Sequence, residues 1–198
     1  MAYDWSRIRS TRLFRLDRWH ARSYFILRKD VNTLIYIGLG SNLPSPDHGD
    51  PTAVVRAAAA ELKRIGLAVV RESGLWRSAP VPRSDQPWFF NAVVAATSPL
   101  RPSELLEHLH AVEARFGRVR RERNEARVVD LDLLDFEGQV SPAGAVPILP
   151  HPRLAERAFV LRPLAEIAPG WRHPVSGAGI DALLAALDPS QVAEKTGP

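Results

Sequence analysis

The stretch Val128–Phe136, VVDLDLLDF, decides how the rest of the chain is read. It is apolar enough to be a buried strand, yet it holds three aspartates. Residues two apart in a strand share a face, so Asp130 and Asp132 project together, and Leu131 and Leu133 turn to the other side. Asp135 has the opposite parity and is expected on a different face or in the turn, outside any site. Two carboxylates held side by side repel, and in apolar surroundings each is driven towards the neutral acid unless a cation lies beside it. A hard divalent ion supplies that cation; Mg²⁺ commonly takes one or two protein carboxylates together with substrate phosphates. Any half-exposed antiparallel strand also alternates polar and apolar residues, so this reading rests on the neighbourhood.

Upstream, Thr33–Ser41 (TLIYIGLGS) is β-branched and aromatic and ends in Gly and Ser, which predicts a strand. A helix is expected over Thr52–Ile65, with Asp50 as N-cap, Pro51 at the first helical position and Gly66 as the stop. Leu67–Ser78 (LAVVRESGLWRS) predicts one strand interrupted at glycine by a bulge. The three prolines of APVPRSDQP (79–87) stiffen a loop too long for a tight hairpin. WFFNAVVAAT (88–97) is a further strand. Pro102 opens a helix whose Leu105, Leu106, Leu109, Val112 and Phe116 fall at helical spacing before Gly117. With 128–136 as the last strand, the order is β-α-β-β-α-β. That order predicts an α+β, ferredoxin-like βαββαβ core with C-terminal additions, including a short helix at Ile180–Leu187. The expected division is a basic N-terminal extension (1–32), a domain (33–188) and a tail (189–198).

The chain has 198 residues, 45% hydrophobic and 24% charged, the balance of a globular protein with room for one sizeable core. No apolar run approaches the roughly 20 residues that span a bilayer. Cysteine is absent, which excludes disulfides and thiolate metal sites and is compatible with a cytoplasmic location. Residues 1–34 carry eight basic and three acidic side chains; the other 164 carry 18 and 19. The whole net charge of +4 therefore comes from the N-terminal segment. The body is near neutral, a weak footprint for nucleic acid.

Arg115, Arg118, Arg120, Arg121, Arg123 and Arg127 crowd into the 13 residues before the aspartate strand. Guanidinium groups grip phosphate oxygens with a planar fork of donors, so a basic loop leading into paired carboxylates suits polyphosphate transfer. His151, in LPHPRLAERAF with Arg153 and Arg157 close behind, adds a candidate phosphate contact. His108 and His110 face different sides of one helix and lack metal-ligand spacing. GLGSN lacks the lysine of a P-loop and the third glycine of a dinucleotide fingerprint.

Four blocks in order, YIGLGSNL (36–43), DQPWFFNAVV (85–94), FGRVRRERNEARVVDLDLLDF (116–136) and LPHPRLAERAFVLRPLAEIAP (149–169), resemble 6-hydroxymethyl-7,8-dihydropterin pyrophosphokinase, an enzyme family of folate biosynthesis. The resemblance implies a ferredoxin-like fold and transfer of the β,γ-pyrophosphate of ATP to the pterin hydroxymethyl group, with two Mg²⁺ ions and release of AMP. It implies Asp130 and Asp132 as metal ligands and Glu113, Arg120, Arg127, His151 and Arg157 as ATP contacts, with Arg120 and Arg127 catalytic. It implies Asn91 as reader of the pterin amide edge, Phe89 and Phe159 as aromatic contacts, and Ser78, Ala79 and Val81 as the loop whose backbone meets the pterin. A cytoplasmic monomer acting on small molecules, without nucleic acid or membrane, is expected. Many members lead into the aspartates with WGPRT, where this chain has NEARV (124–128), and Pro152 stands where some have tyrosine. Two other classes share these features: an RNA-binding module using sheet aromatics and a metal-dependent phosphohydrolase using the same aspartates. Steeply salt-dependent RNA binding would mark the first, and phosphate release without pterin the second.

Overall fold

The structure, a computed structural model, describes residues 31–118 and 125–197. The extension up to residue 30, together with Arg120, Arg121, Arg123 and Asn124 of the arginine loop, lies outside the described residues. Strand β1 is Ile35–Ser41, buried at every position but Gly38. Asp50 caps helix α1, Pro51–Arg64: its carboxylate accepts from the Ala53 amide at 2.9 Å and the Thr52 hydroxyl at 2.6 Å. Such a cap is worth about 1 kcal/mol. Gly66, at φ +94°, ends the turn that follows in a conformation glycine adopts without steric cost.

Where one interrupted strand was predicted at 67–78 there are two: β2, Ala68–Glu72, and β3, Trp76–Ser78. Both pair antiparallel with β4, Phe89–Thr97. The register slips between Val69 and Arg71, and not at the glycine. Gly74 sits in the gap, with its amide donating to Glu166 Oε1 at 3.1 Å. A Cβ there would fall 2.9 Å from Cε of Lys195, so a larger residue would displace the end of that flexible side chain. Helix α2, Pro102–Arg115, precedes the edge strand β5, Asp130–Phe136.

The C-terminal part forms a 3₁₀ turn at Leu154–Glu156, helix α3 (Ala158–Ile167), helix α4 (Ile180–Ala185) and strand β6 (Ala193–Lys195). The sequence reading assigned no element to 158–167, and Pro163 lies inside the helix found there, where proline costs a backbone hydrogen bond. Its buried face of Val160, Leu161, Leu164 and Ile167 outweighs that cost. In the C-terminal segment, β6 pairs with β3, and the Thr196 amide donates to Leu75 O at 2.9 Å.

The sheet is six-stranded and antiparallel, ordered β5-β1-β4-β3-β6, with β2 also on β4. Side-chain alternation splits it into two cores. Ile35, Ile37, Leu39, Val94, Leu131 and Leu133 pack with the buried faces of α1 and α2. Tyr36, Val93, Ala95 and Leu134 pack with α3, Trp171 and Ile180. Helices therefore cover both faces. Edge strand β5 is also covered, since the Leu131 amide donates to Glu113 Oε1 and the His151 amide to Leu134 O, both at 2.8 Å. No helix among the described residues is long and apolar enough to cross a membrane.

The parity reading of Asp135 fails because β5 carries a bulge. Tyr36 faces Asp135 while Ile37 faces Leu133, leaving Leu134 over. The extra residue returns Asp135 to the face of Asp130 and Asp132. There it is fully buried, accepting from the Trp171 indole N–H at 2.8 Å and the Gly138 amide at 3.1 Å. Burial pushes its carboxyl up. It does not line the cavity described next.

Candidate active site

A cavity of about 910 Å³ opens over β1 and β4 and runs past the edge of β5. Its floor includes Gly38 and Gly40, strand positions opposite Asp132 and Asp130. A side chain at either would rise into the space a ligand needs. A Cβ on Gly40 would stand 3.2 Å from Asn91 Oδ1. This is the physical content of GLGSN: a bare strand surface, with no phosphate-wrapping loop. Gly40→Val is expected to fold and to lower kcat/KM by about 100-fold or more, as cavity space is lost and the Asn91 amide displaced; full activity in a steady-state assay would contradict this assignment.

The last residue of that motif does different work. Asn42, 1% exposed, accepts from the Arg127 amide at 2.8 Å and donates to Pro87 O at 3.2 Å and Gln86 Oε1 at 3.3 Å. One side chain thus ties the arginine segment to the proline loop across the cavity mouth.

Asp130 and Asp132 share one face and both line the cavity. Arg127 Nη1 donates to Asp130 Oδ2 at 2.7 Å, and Arg118 donates to the other oxygen of Asp130 and to Glu113. Arg157 lies 3.7 Å from Asp132 and stacks over the Phe159 ring, 5.3 Å from its centroid. Burial, then the neighbouring Asp130 charge, pushes the Asp132 carboxyl up to about 6. Asp132 is thus the less compensated member of the pair, and a cation placed between the two would relieve it. Two carboxylates on one face, with open space before them, fit Mg²⁺ completed by phosphate oxygens. The described residues hold no cluster of three or more metal-binding side chains that would close a site without substrate.

His151 is pushed down from 6.5 to about 4, first by burial and then by Arg157 and Arg153. It is therefore neutral at pH 7. The Arg153 amide donates to its Nδ1 at 3.2 Å, so the ring proton sits on Nε2, free to donate to an anion. The sign of the linkage follows: the fold favours neutral His151, so its contribution is intact above pH 6.5 and lost as pH falls through 4. The midpoint of thermal unfolding of wild type relative to His151→Gln is expected to drop across that window; a pH-independent difference would refute the burial argument.

On the opposite wall Asn91 is 4% exposed. Its Nδ2 donates to Ser78 Oγ at 2.9 Å and to Trp76 O at 3.4 Å. That leaves Oδ1 as its only outward group, one acceptor where the sequence suggested a two-way amide contact. Ser78, Ala79, Val81, Phe89 and Phe159 also line the cavity, as do Leu106, His110, Pro147 and Ile148.

Of the residues that the family resemblance assigned to the site, all but two line this cavity. Arg120 lies outside the described residues. Glu113 sits beneath the wall, 2% exposed, joining Arg118 to the β5 backbone at Leu131, and so acts on the site through other residues. The sequence reading named Arg118 and Arg153 only within basic runs and the two floor glycines only within GLGSN, and it did not single out Pro147 or Ile148. Arg118 and Arg153 belong to basic clusters that gave no way to rank their members. Pro147 and Ile148 carry no motif.

A glycine-floored cleft on an antiparallel sheet, with paired carboxylates facing several guanidinium groups, defines a protein that handles a polyanion together with hard cations. The model of the 7,8-dihydro-6-hydroxymethylpterin-pyrophosphokinase (HPPK) family matches residues 36–169, and the chain belongs to that family. The 2-amino-4-hydroxy-6-hydroxymethyldihydropteridine pyrophosphokinase of Methylorubrum extorquens is 44% identical over 162 residues, covering 81% of this chain and 97% of its own. The protein of the same name from Pseudomonas aeruginosa is 39% identical over 153 residues, covering 77% and 90%. A crystal structure of a Plasmodium falciparum HPPK-DHPS triple mutant with pteroate superposes with a TM-score of 0.58 at 12% identity, over 77% of this chain and 41% of that one. The chain therefore spans about two fifths of that structure, and the likeness bears on the fold alone.

Proposed function

We propose that this chain is an ATP-dependent diphosphotransferase that moves the β,γ-pyrophosphate of ATP to the hydroxymethyl oxygen of 6-hydroxymethyl-7,8-dihydropterin in folate synthesis. The observation that carries the reading is the common face of Asp130 and Asp132 inside a cavity that Arg118, Arg127, Arg153 and Arg157 line together with Asn91, Phe89 and Phe159. Family membership and the names of relatives covered nearly end to end support the same reaction. If β2 and β3 count as one interrupted strand, the order β5-β1-β4-(β2, β3) supports a ferredoxin-like βαββαβ core, with α3, α4 and β6 added.

In the reaction the alcohol oxygen forms a bond to the β-phosphorus. The bond from that phosphorus to the oxygen bridging to the α-phosphate breaks, and that oxygen leaves on AMP. The alcohol proton passes to solvent late, without a dedicated base. Asp130 and Asp132 would hold two Mg²⁺ ions, whose chemistry when bound is to neutralise bridging and terminal phosphate oxygens. Arg127 and Arg120 stabilise the charge that develops, Arg157 and neutral His151 bind the chain of phosphates, and Glu113 fixes Arg118 and β5. Asn91 Oδ1 accepts from the pterin amide edge, Phe89 and Phe159 flank the bicycle, and the loop of Ser78, Ala79 and Val81 closes the pocket. Rate enhancement on this scheme comes from positioning and charge complementarity. The domain is taken as a cytoplasmic monomer over 33–188, without nucleic-acid partners. The near-neutral charge of residues 35–198, 18 basic against 19 acidic side chains, supports that last point.

Incubation with ATP, Mg²⁺ and the reduced hydroxymethylpterin is expected to give AMP and pterin diphosphate in equal amounts. ADP without AMP, or phosphate released without pterin, would overturn the reading.

A further inference from the structure

Four arginines among the described residues line the cavity: Arg118, Arg127, Arg153 and Arg157. Three already have acidic partners. Arg118 and Arg127 engage Asp130, and Arg157 lies beside Asp132. An incoming anion must exchange places with those carboxylates before it can use these groups. Arg153 differs: its guanidinium meets no carboxylate among the described residues and is exposed to solvent. Its backbone is nonetheless fixed. The amide donates to His151 Nδ1 at 3.2 Å and the carbonyl accepts from the Glu156 amide at 3.3 Å. Its charge reaches both neighbours, helping to depress His151 and Arg157. A guanidinium held next to another cation, with no counter-ion among the described residues, favours the arrival of an anion.

We propose that Arg153 is the capture residue for the nucleotide triphosphate, making the first charge-assisted contact at the cavity rim before the phosphates displace the internal ion pairs. This rests on the reading of ATP as substrate. Because the contact costs no existing pair, its effect falls on association. A rim charge of this kind sets the on-rate and its salt dependence more than the chemical step.

The test is stopped-flow binding of a fluorescent α,β-methylene ATP analogue to the full chain with Mg²⁺, comparing wild type, Arg153→Gln and Arg153→Lys. At low salt the glutamine variant is expected to associate about 5-fold more slowly, with a flatter dependence on ionic strength. The lysine variant should recover most of the rate, since charge and not the planar fork does the steering. In steady state the KM for ATP should rise while kcat stays within about 3-fold. An on-rate and salt slope equal to wild type, or a loss confined to kcat, would overturn the assignment while leaving the pyrophosphotransfer reading untouched. A wild-type protein that binds no analogue would overturn that reading, and this inference with it.

Discussion

Asp132→Asn is expected to abolish turnover and at the same time to stabilise the metal-free fold. Asp132 and Asp130 share a face and a cavity, and among the described residues Arg157, at 3.7 Å, is the cation that pairs with Asp132. Loss of one metal-binding carboxylate removes several kcal/mol of transition-state stabilisation, about 10³-fold in kcat. The stability effect has the opposite sign. Asp132 titrates near 6, above its ordinary 3.8. Its contribution to folding is therefore fully present below pH 3.8 and lost as pH rises through 6. Above that point the ionised carboxylate opposes folding and the neutral amide does not. Discounted for the part of the side chain that water reaches, the gain is about 1 kcal/mol, or roughly 2–4 °C in Tm at pH 8. The gain should vanish below pH 4, and Mg²⁺ with ATP should stabilise wild type but not the variant. Activity within 10-fold of wild type would remove Asp132 from the metal site. A variant less stable at pH 8 than at pH 4, relative to wild type, would sink the electrostatic account.

Asn91→Leu should fail on one substrate only. Asn91 is buried, and its Nδ2 is held by Ser78 and by Trp76 O, so its single outward acceptor is fixed in place. A leucine of similar volume removes that acceptor and leaves the Ser78 hydroxyl without its partner. Sites built to hydrogen-bond a substrate lose about 10³-fold or more in kcat/KM when the pairing is broken. The loss is expected in the pterin parameters, with binding of the ATP analogue within about 3-fold of wild type, because the arginine wall is untouched. Equal losses for both substrates would mean that Asn91 is structural. Unchanged pterin kinetics would mean that the pterin lies elsewhere.

Much of this site is legible in the chain because its chemistry is local. The spacing Asp130-x-Asp132 fixes a shared face, since strand alternation holds over three residues whatever surrounds it. Pro51, Asp50 and Gly66 bracket α1 for reasons of backbone geometry alone. Asp135, five residues from Asp130, shows where such reasoning stops. The bulge at Leu134 arises from pairing with β1, so three positions on from Asp132 parity has already failed. Arg118 and Arg153 could not be separated from their basic neighbours by composition, because what distinguishes them is whether a carboxylate meets the guanidinium. Asn42 gave no signal because its partners lie more than forty residues away.

Local sequence was enough to place β1, α1, β4, α2 and β5, the paired carboxylates and the concentration of arginines, but not to divide 67–78 into two strands. These follow from propensity, period and residue chemistry over short distances. Only the tertiary structure decided that 158–167 forms a helix through Pro163, that 193–195 closes the sheet and that Asp135 is sequestered by Trp171. It alone places Glu113 beneath the wall and shows Arg153 as the cavity-lining guanidinium that meets no carboxylate among the described residues. Each of these depends on which distant groups are brought into contact, and burial and pairing energies that exceed local preferences are set by the packed fold.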